Sequence, residues 1–149
     1  MKLALTKHSL TSDAAQAIAA AAVKAAQLKS MAIGVCVSDA EGAPLALIRM
    51  DGVGAPIVEF CQEKAYTSAV TGAATSDFYK HMSSTASLAM GMTGRPRFLV
   101  WGGGLPIRQG NVLLGGIGVS GGSEEQDIKL AEEALAAIGL GPLAAANPA

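Results

Sequence analysis

Residues 115–126 read GGIGVSGGSEEQ and join an apolar strand, a glycine-rich turn and the start of a helix. Within them, Gly116, Gly118 and Gly121 form a GxGxxG pattern, which in some contexts marks a dinucleotide-binding turn. Gly116 and Gly118 are two positions apart in a strand, so both face the same side of the sheet. The glycines are better explained by a helix or a ligand that lies close to that side.

The helix that follows the glycines also argues against a dinucleotide. Residues 123–126, SEEQ, form a capping box and predict a helix that reaches about Ile138 and stops at Gly139. Glu124 and Glu125 lie in its first turn, where they complement the positive end of the helix and would repel a pyrophosphate. No acidic residue follows about twenty positions on, where a ribose would need one.

The chain before this stretch predicts an α/β (α+β) fold. Its order is helix, hairpin, two helices and three strands, which suits one antiparallel sheet of about five strands with helices packed on its faces. An irregular connection, rich in Ser, Thr, Gly and Met, is expected at residues 83–96. The helices are predicted at residues 14–28, 56–70 and from about 75, and the strands at 32–38, 44–50, 97–101, 105–108 and 112–119.

The composition indicates a single domain over residues 1–149. Half of the residues are hydrophobic and 15% are charged, as in a compact domain with one core, here at about residues 10–138. The tail at 140–149 is expected to fray. The net charge is -1, so we expect neither nucleic acid nor a membrane surface as a partner. No stretch approaches the roughly 18–20 apolar residues of a membrane span.

Cysteines and histidines limit the chemistry. Cys36 and Cys61 lie in apolar segments without a CxxC or Cys/His cluster, which predicts buried, reduced thiols and a cytoplasmic protein. His8 and His81 are the two histidines of the chain, too few to predict a His-rich metal site. The chain has no G-x-S-x-G, HExxH or P-loop motif, so the common hydrolase, zincin and kinase classes lack support.

Two glycine corners are candidate binding regions. Asp51 precedes the corner at residues 52–54 and is either a turn residue or a pocket carboxylate. The second corner is the run Gly102, Gly103 and Gly104, where three residues without Cβ expose backbone donors and acceptors. Contact with a ligand and simple reversal of the chain explain that run equally well.

Several separated motifs follow one another along the chain: RMDG at 49–52, KAYTSA at 64–69, GGGLPI at 102–107, and GGIGVSG at 115–121 with QD at 126–127. Together they resemble the motifs of the GlcG and HbpS-like heme-binding family, which includes the C-terminal domain of PduO-type proteins. The resemblance spans about residues 10–138. It implies a profilin-like sandwich, homo-oligomers up to octamers, heme or iron binding at a subunit surface in some members, and roles in catabolism in others.

The first functional hypothesis is therefore a small-ligand-binding oligomer, with heme as a candidate cofactor. His8 or His81 would be the iron ligand, and Met90 and Met92 would form a soft apolar wall. The other candidate cofactor-binding residues are Arg49, Gly102, Gly103, Gly104 and Pro106.

The second hypothesis is an enzyme of the lyase or isomerase type that acts on a small acidic or hydroxylated metabolite. Arg49 or Lys64 would pair with an anionic group, while Asp51 or His81 would move a proton. A third hypothesis is a protein that only assembles or scaffolds others, in which the glycines and alanines serve packing. It predicts no ligand.

The composition also predicts self-association. An alanine-rich helix and few charged residues leave more apolar surface than one small domain can cover, which favours a homo-oligomer. Light scattering at micromolar concentration should therefore give a mass well above the 14.9 kDa of one chain. A stable monomer under those conditions would contradict this prediction.

Overall fold

The computed structural model describes residues 1–141, which form five helices and four strands of an α+β fold. The four strands form one antiparallel sheet of order β2-β1-β4-β3. The elements are α1 (Ser12–Leu28), β1 (Gly34–Asp39), β2 (Pro44–Arg49), α2 (Ala55–Thr71), α3 (Thr75–Met82), α4 (Ala86–Met92), β3 (Gly104–Gln109), β4 (Val112–Ser120) and α5 (Glu124–Ala137).

The predicted antiparallel sheet with helices on its faces is confirmed, but the prediction of about five strands is wrong. Residues 97–101 are irregular because threonine side chains, rather than a neighbouring strand, bind their backbone. The hydroxyl of Thr67 accepts the N–H of Leu99 at 2.9 Å, and that of Thr75 donates to the carbonyl of Trp101 at 2.7 Å. Arg97 also has a φ of 68°, which is incompatible with a strand.

The region at 83–96, predicted to be irregular, contains the short helix α4. Thr85 caps it, since its hydroxyl accepts the N–H of Leu88. This helix is difficult to predict from the composition, because its serine and glycine are weak helix formers. The predicted fraying of the tail at 140–149 falls mostly on residues 142–149, which lie outside the described residues.

One face of the sheet carries the main core against α1 and α5. The inward side chains of β1 and β4, among them Val35, Val37, Ile117 and Val119, are fully buried there. Alanines make up four of the five buried residues of α1 and two of the five of α5, and they allow the two helices to approach closely. The buried alanines of α1 and α5 are Ala15, Ala19, Ala22, Ala26, Ala131 and Ala134.

The other face of the sheet is covered by α2. A Cβ atom on Gly116 would lie 2.3 Å from the carbonyl oxygen of Ala65, and one on Gly118 would lie 2.1 Å from that of Cys61. The backbone of α2 thus lies directly against β4 at these two glycines, which have no side chain. The prediction that both glycines face one side and admit a helix is confirmed.

The two thiols are buried together where α2 meets β1, and both are free. Burial, and to a smaller extent the neighbouring Cys61, raises the pKa of Cys36 to about 12. Burial likewise raises the pKa of Cys61 to about 11. The thiols are therefore protonated and unreactive in the folded protein at neutral pH.

Gly118→Ala should strongly destabilise the fold, because its methyl group would collide with the backbone of α2. We expect the free energy of unfolding to fall by about 3 kcal/mol, the upper end for overpacking. The measurement is urea unfolding followed by circular dichroism. Gly91→Ala in α4 is the matched control, since a Cβ there has no atom within 4 Å and should leave stability unchanged or slightly raised. Equal stability of the two variants would refute the close packing.

The buried thiols should make stability depend on alkaline pH. Unfolding returns both to an ordinary pKa near 9.0, so above pH 9 the unfolded chain loses protons that the folded protein keeps. Their contribution is complete below pH 9 and is lost as the pH rises towards 11–12. Urea unfolding between pH 8 and about 10.5 should show a steeper loss in the wild type than in Cys36→Ala/Cys61→Ala. Parallel slopes would contradict the prediction.

Candidate functional site

A buried ion pair joins three elements at one end of the sheet. Lys64 of α2 is 2% exposed, and its Nζ lies 2.9 Å from Oδ2 of Asp127 in α5. It also donates to the carbonyl of Val119 at 2.8 Å and lies 3.4 Å from the hydroxyl of Ser120. The other carboxylate oxygen of Asp127 accepts the N–H of Gly122 at 2.9 Å. The ammonium therefore has an acceptor for each of its three protons.

The predicted site residues are only partly brought together. A Cβ on Gly103 would lie 3.0 Å from Nζ of Lys64, so the second glycine corner does adjoin this lysine. Asp51 and Arg49 are instead exposed at the end of β2, and neither makes a side-chain hydrogen bond or ion pair within residues 1–141. The carboxylate beside Lys64 is Asp127. Sequence reasoning gave it no role, because an acidic residue in a first helical turn is ordinary.

A cavity of about 460 Å³ opens beside the ion pair, and we call it the tryptophan cavity. Trp101 is 47% exposed there and packs in a T-shaped contact on Phe60, with ring centroids 5.2 Å apart. At the rim, a carboxylate oxygen of Glu124 accepts the N–H of Gly102 at 2.8 Å. Its lining is Ile57, Phe60, Lys64, Trp101, Ser120, Gly121, Gly122, Glu124 and Asp127.

A second, mainly apolar depression of about 450 Å³ lies on α3 and α4, and we call it the methionine groove. A smaller depression of about 260 Å³ adjoins it and shares Met82, Met92 and Phe98. Arg95 is the charged residue of the groove. Its lining is Thr71, Phe78, Met82, Ser87, Leu88, Gly91, Met92, Arg95 and Phe98.

The two histidines lie in different places. His81 is exposed on α3, three residues after Phe78, and so lies on the helix surface next to a groove residue. His8 is exposed in the extended N-terminal segment, whose Lys7 pairs with Glu41 in the hairpin turn. Neither histidine lines the groove, but His81 shares α3 with the groove residues Phe78 and Met82.

The remaining predicted residues line neither site. Met90 is 78% exposed on α4, so Met92 rather than Met90 belongs to the groove wall. Pro106 lies in β3 and lines a separate depression with Leu105 and Arg108.

Residues 1–141 contain neither a metal-binding cluster nor a helix that could span a membrane. No group of three or more His, Cys, Asp or Glu side chains in this range could hold a metal ion. Within the same range, no helix is both long and apolar enough to cross a membrane.

Curated relatives extend over most of the chain. Corrinoid adenosyltransferase PduO of Salmonella typhimurium is 33% identical over 124 residues, which cover 81% of this chain but only 36% of PduO. The chain thus spans about a third of the length of this relative. Protein GlcG of Escherichia coli K12 is 34% identical over 116 residues, 77% of this chain and 84% of GlcG.

Solved structures share the fold at similar identity. A double mutant of HbpS from Streptomyces reticuli superposes with a TM-score of 0.81 and 32% identity, covering 92% of this chain and 91% of HbpS. The PduOC:heme complex gives a TM-score of 0.79 and 29% identity, covering 89% of this chain and 97% of PduOC. The family described as haem degrading protein HbpS-like matches residues 10–136. The resemblance predicted from the motifs is confirmed, and the chain belongs to the HbpS-like family.

Proposed function

We propose that the protein binds heme, and that the methionine groove is the site. The observation that carries the proposal is an apolar groove on α3 and α4 that is lined by two methionines and by Arg95, with His81 exposed on α3 outside the lining. The HbpS-like family is described by heme degradation, and the related PduOC forms a complex with heme, which supports the same ligand class.

The residues of the groove fit the chemical parts of heme. Its volume of about 450 Å³ lies in the range of small-ligand sites, and Phe78 and Phe98 offer an apolar bed for a flat ring. Thioethers such as those of Met82 and Met92 tolerate irregular apolar ligands and can also ligate heme iron. The guanidinium of Arg95 can pair with a carboxylate side chain of the ring.

His81 is the iron ligand that we propose. Its ring is exposed on α3 one helical turn beyond Phe78 and outside the groove lining, so this ligation requires the heme to extend from the groove along α3. Bound heme would supply redox chemistry at its iron. The chain's own contribution is to ligate the iron through His81, cover the ring with Met82 and Met92, and neutralise a propionate through Arg95.

A groove open to solvent suits a site at a subunit surface. Tyr79 is 54% exposed and Met90 78% exposed on the same two helices, so apolar area remains for contact with a second copy. We propose a cytoplasmic homo-oligomer, up to an octamer as the family resemblance implies. The same surface would then both assemble the subunits and shield the ligand.

The enzyme hypothesis has one observation in its favour, the buried Lys64–Asp127 pair at the base of the tryptophan cavity. Because each proton of Lys64 already has an acceptor, the lysine has no free donor for an anionic substrate. Asp51 is not in the lining of this cavity. The geometry therefore favours ligand binding over the proposed acid and base chemistry of Asp51, His81 and Lys64.

Hemin titration should give a saturable, shifted Soret band in the wild-type protein. His81→Ala should weaken binding at least about tenfold or move the band, because it removes the ligand to the iron. His8→Ala is the matched control and should bind like the wild type. Both histidines are exposed, so circular dichroism should show unchanged folding in each variant.

Two results would decide against this site. If His8→Ala abolishes the shifted band and His81→Ala does not, heme binds at the N-terminal segment instead of the groove. If the wild-type spectrum neither shifts nor saturates, the protein does not bind heme.

A further inference from the structure

We propose that the tryptophan cavity is a second ligand site and that it takes a small organic cation, an alkylammonium ion of a few carbons. It is separate from the methionine groove, since the two share no lining residue. Binding in this cavity therefore does not depend on heme binding. The charges, the aromatic surface and the size of the cavity support a small organic cation as its ligand.

The lining carries one negative charge that has no ion-pair partner within residues 1–141. The charges of Lys64 and Asp127 cancel within their ion pair, 2.9 Å apart. Glu124 has no cationic partner within residues 1–141, and in this range its carboxylate accepts one hydrogen bond, from the N–H of Gly102. Its second carboxylate oxygen is thus available at the rim of the cavity. This negative charge favours a cation and repels an anion. An anion would also find no N–H of Lys64 free to donate a hydrogen bond to it.

Aromatic surface adjoins this negative charge. Trp101 keeps 47% of its surface exposed although it lines a cavity, and Phe60 fixes its ring by an edge contact. The face of an indole attracts ammonium groups, and tryptophan does so best among the aromatic residues. Ile57 adds an apolar wall for the alkyl part of such a ligand. A neutral ligand in contact with these walls would leave the charge of Glu124 without an ionic partner.

The size and position of the cavity limit the ligand. A space of about 460 Å³ admits a molecule with a quaternary ammonium head and a short alkyl or hydroxyalkyl arm. Ser120 lies at the base of the cavity and its hydroxyl faces Lys64 at 3.4 Å. The base is therefore polar and the rim is acidic and aromatic.

Trp101 is the only tryptophan of the chain, so intrinsic tryptophan fluorescence reports on this cavity alone. The probe is choline chloride, added to the wild-type protein at constant ionic strength. The controls are sodium acetate and the uncharged analogue in which carbon replaces the nitrogen of choline. We expect a saturable change in emission with choline and none with either control.

Two matched variants test the charge. Glu124→Gln keeps the oxygen that accepts the N–H of Gly102 but removes the negative charge, so choline should bind about five- to tenfold more weakly. Glu125→Gln makes the same change one residue later, outside the lining of the cavity, and should bind choline like the wild type. Choline should also leave the hemin titration unchanged, since the two sites do not overlap.

The proposal is overturned if choline gives no saturable change, if the uncharged analogue binds as well as choline, or if Glu125→Gln weakens binding as much as Glu124→Gln. Failure of hemin to bind would not affect these results. The outcomes for the two sites are therefore distinguishable.

Discussion

Helix α2 lies against strand β4 at a distance that leaves no room for side chains between them. Gly116 and Gly118 supply this space, and carbonyl oxygens of α2 occupy it. Gly104 on the neighbouring strand does the same, since a Cβ there would lie 2.6 Å from the carbonyl oxygen of Lys64. Backbone contact thus fixes the position of α2. Polar side chains of α2 are buried as a result.

Because of that position, the buried polar residues of α2 contact other parts of the chain. Thr67 and Lys64 are almost fully buried, yet each finds partners outside the helix. Burying an ammonium is costly unless it is paired and hydrogen-bonded, and Lys64 meets both conditions. The same helix also borders the tryptophan cavity through Ile57 and Phe60. The close contact between α2 and the sheet therefore determines where the polar side chains of α2 lie in this fold.

Local signals in the sequence predicted the elements that depend on local physics. The capping box at residues 123–126 begins α5, with both reciprocal hydrogen bonds formed, and the spacing of Gly116 and Gly118 indicated the face that α2 covers. The path of residues 97–101 could not be predicted, because it depends on threonines about 30 positions earlier in the chain. Asp127 was missed for the same reason, since its partner Lys64 is 63 residues away.

The Lys64–Asp127 pair also bears on folding. Lys64 belongs to the helix on one face of the sheet, whereas Asp127 belongs to α5 in the layer on the other face. A partly folded chain with only one of these helices docked would hold a buried charge without its partner, a state that costs several kcal/mol. Such intermediates are disfavoured to the extent that the remaining charge stays buried. The ion pair thus couples the two layers across the sheet, because loss of either helix removes the partner of the other charge.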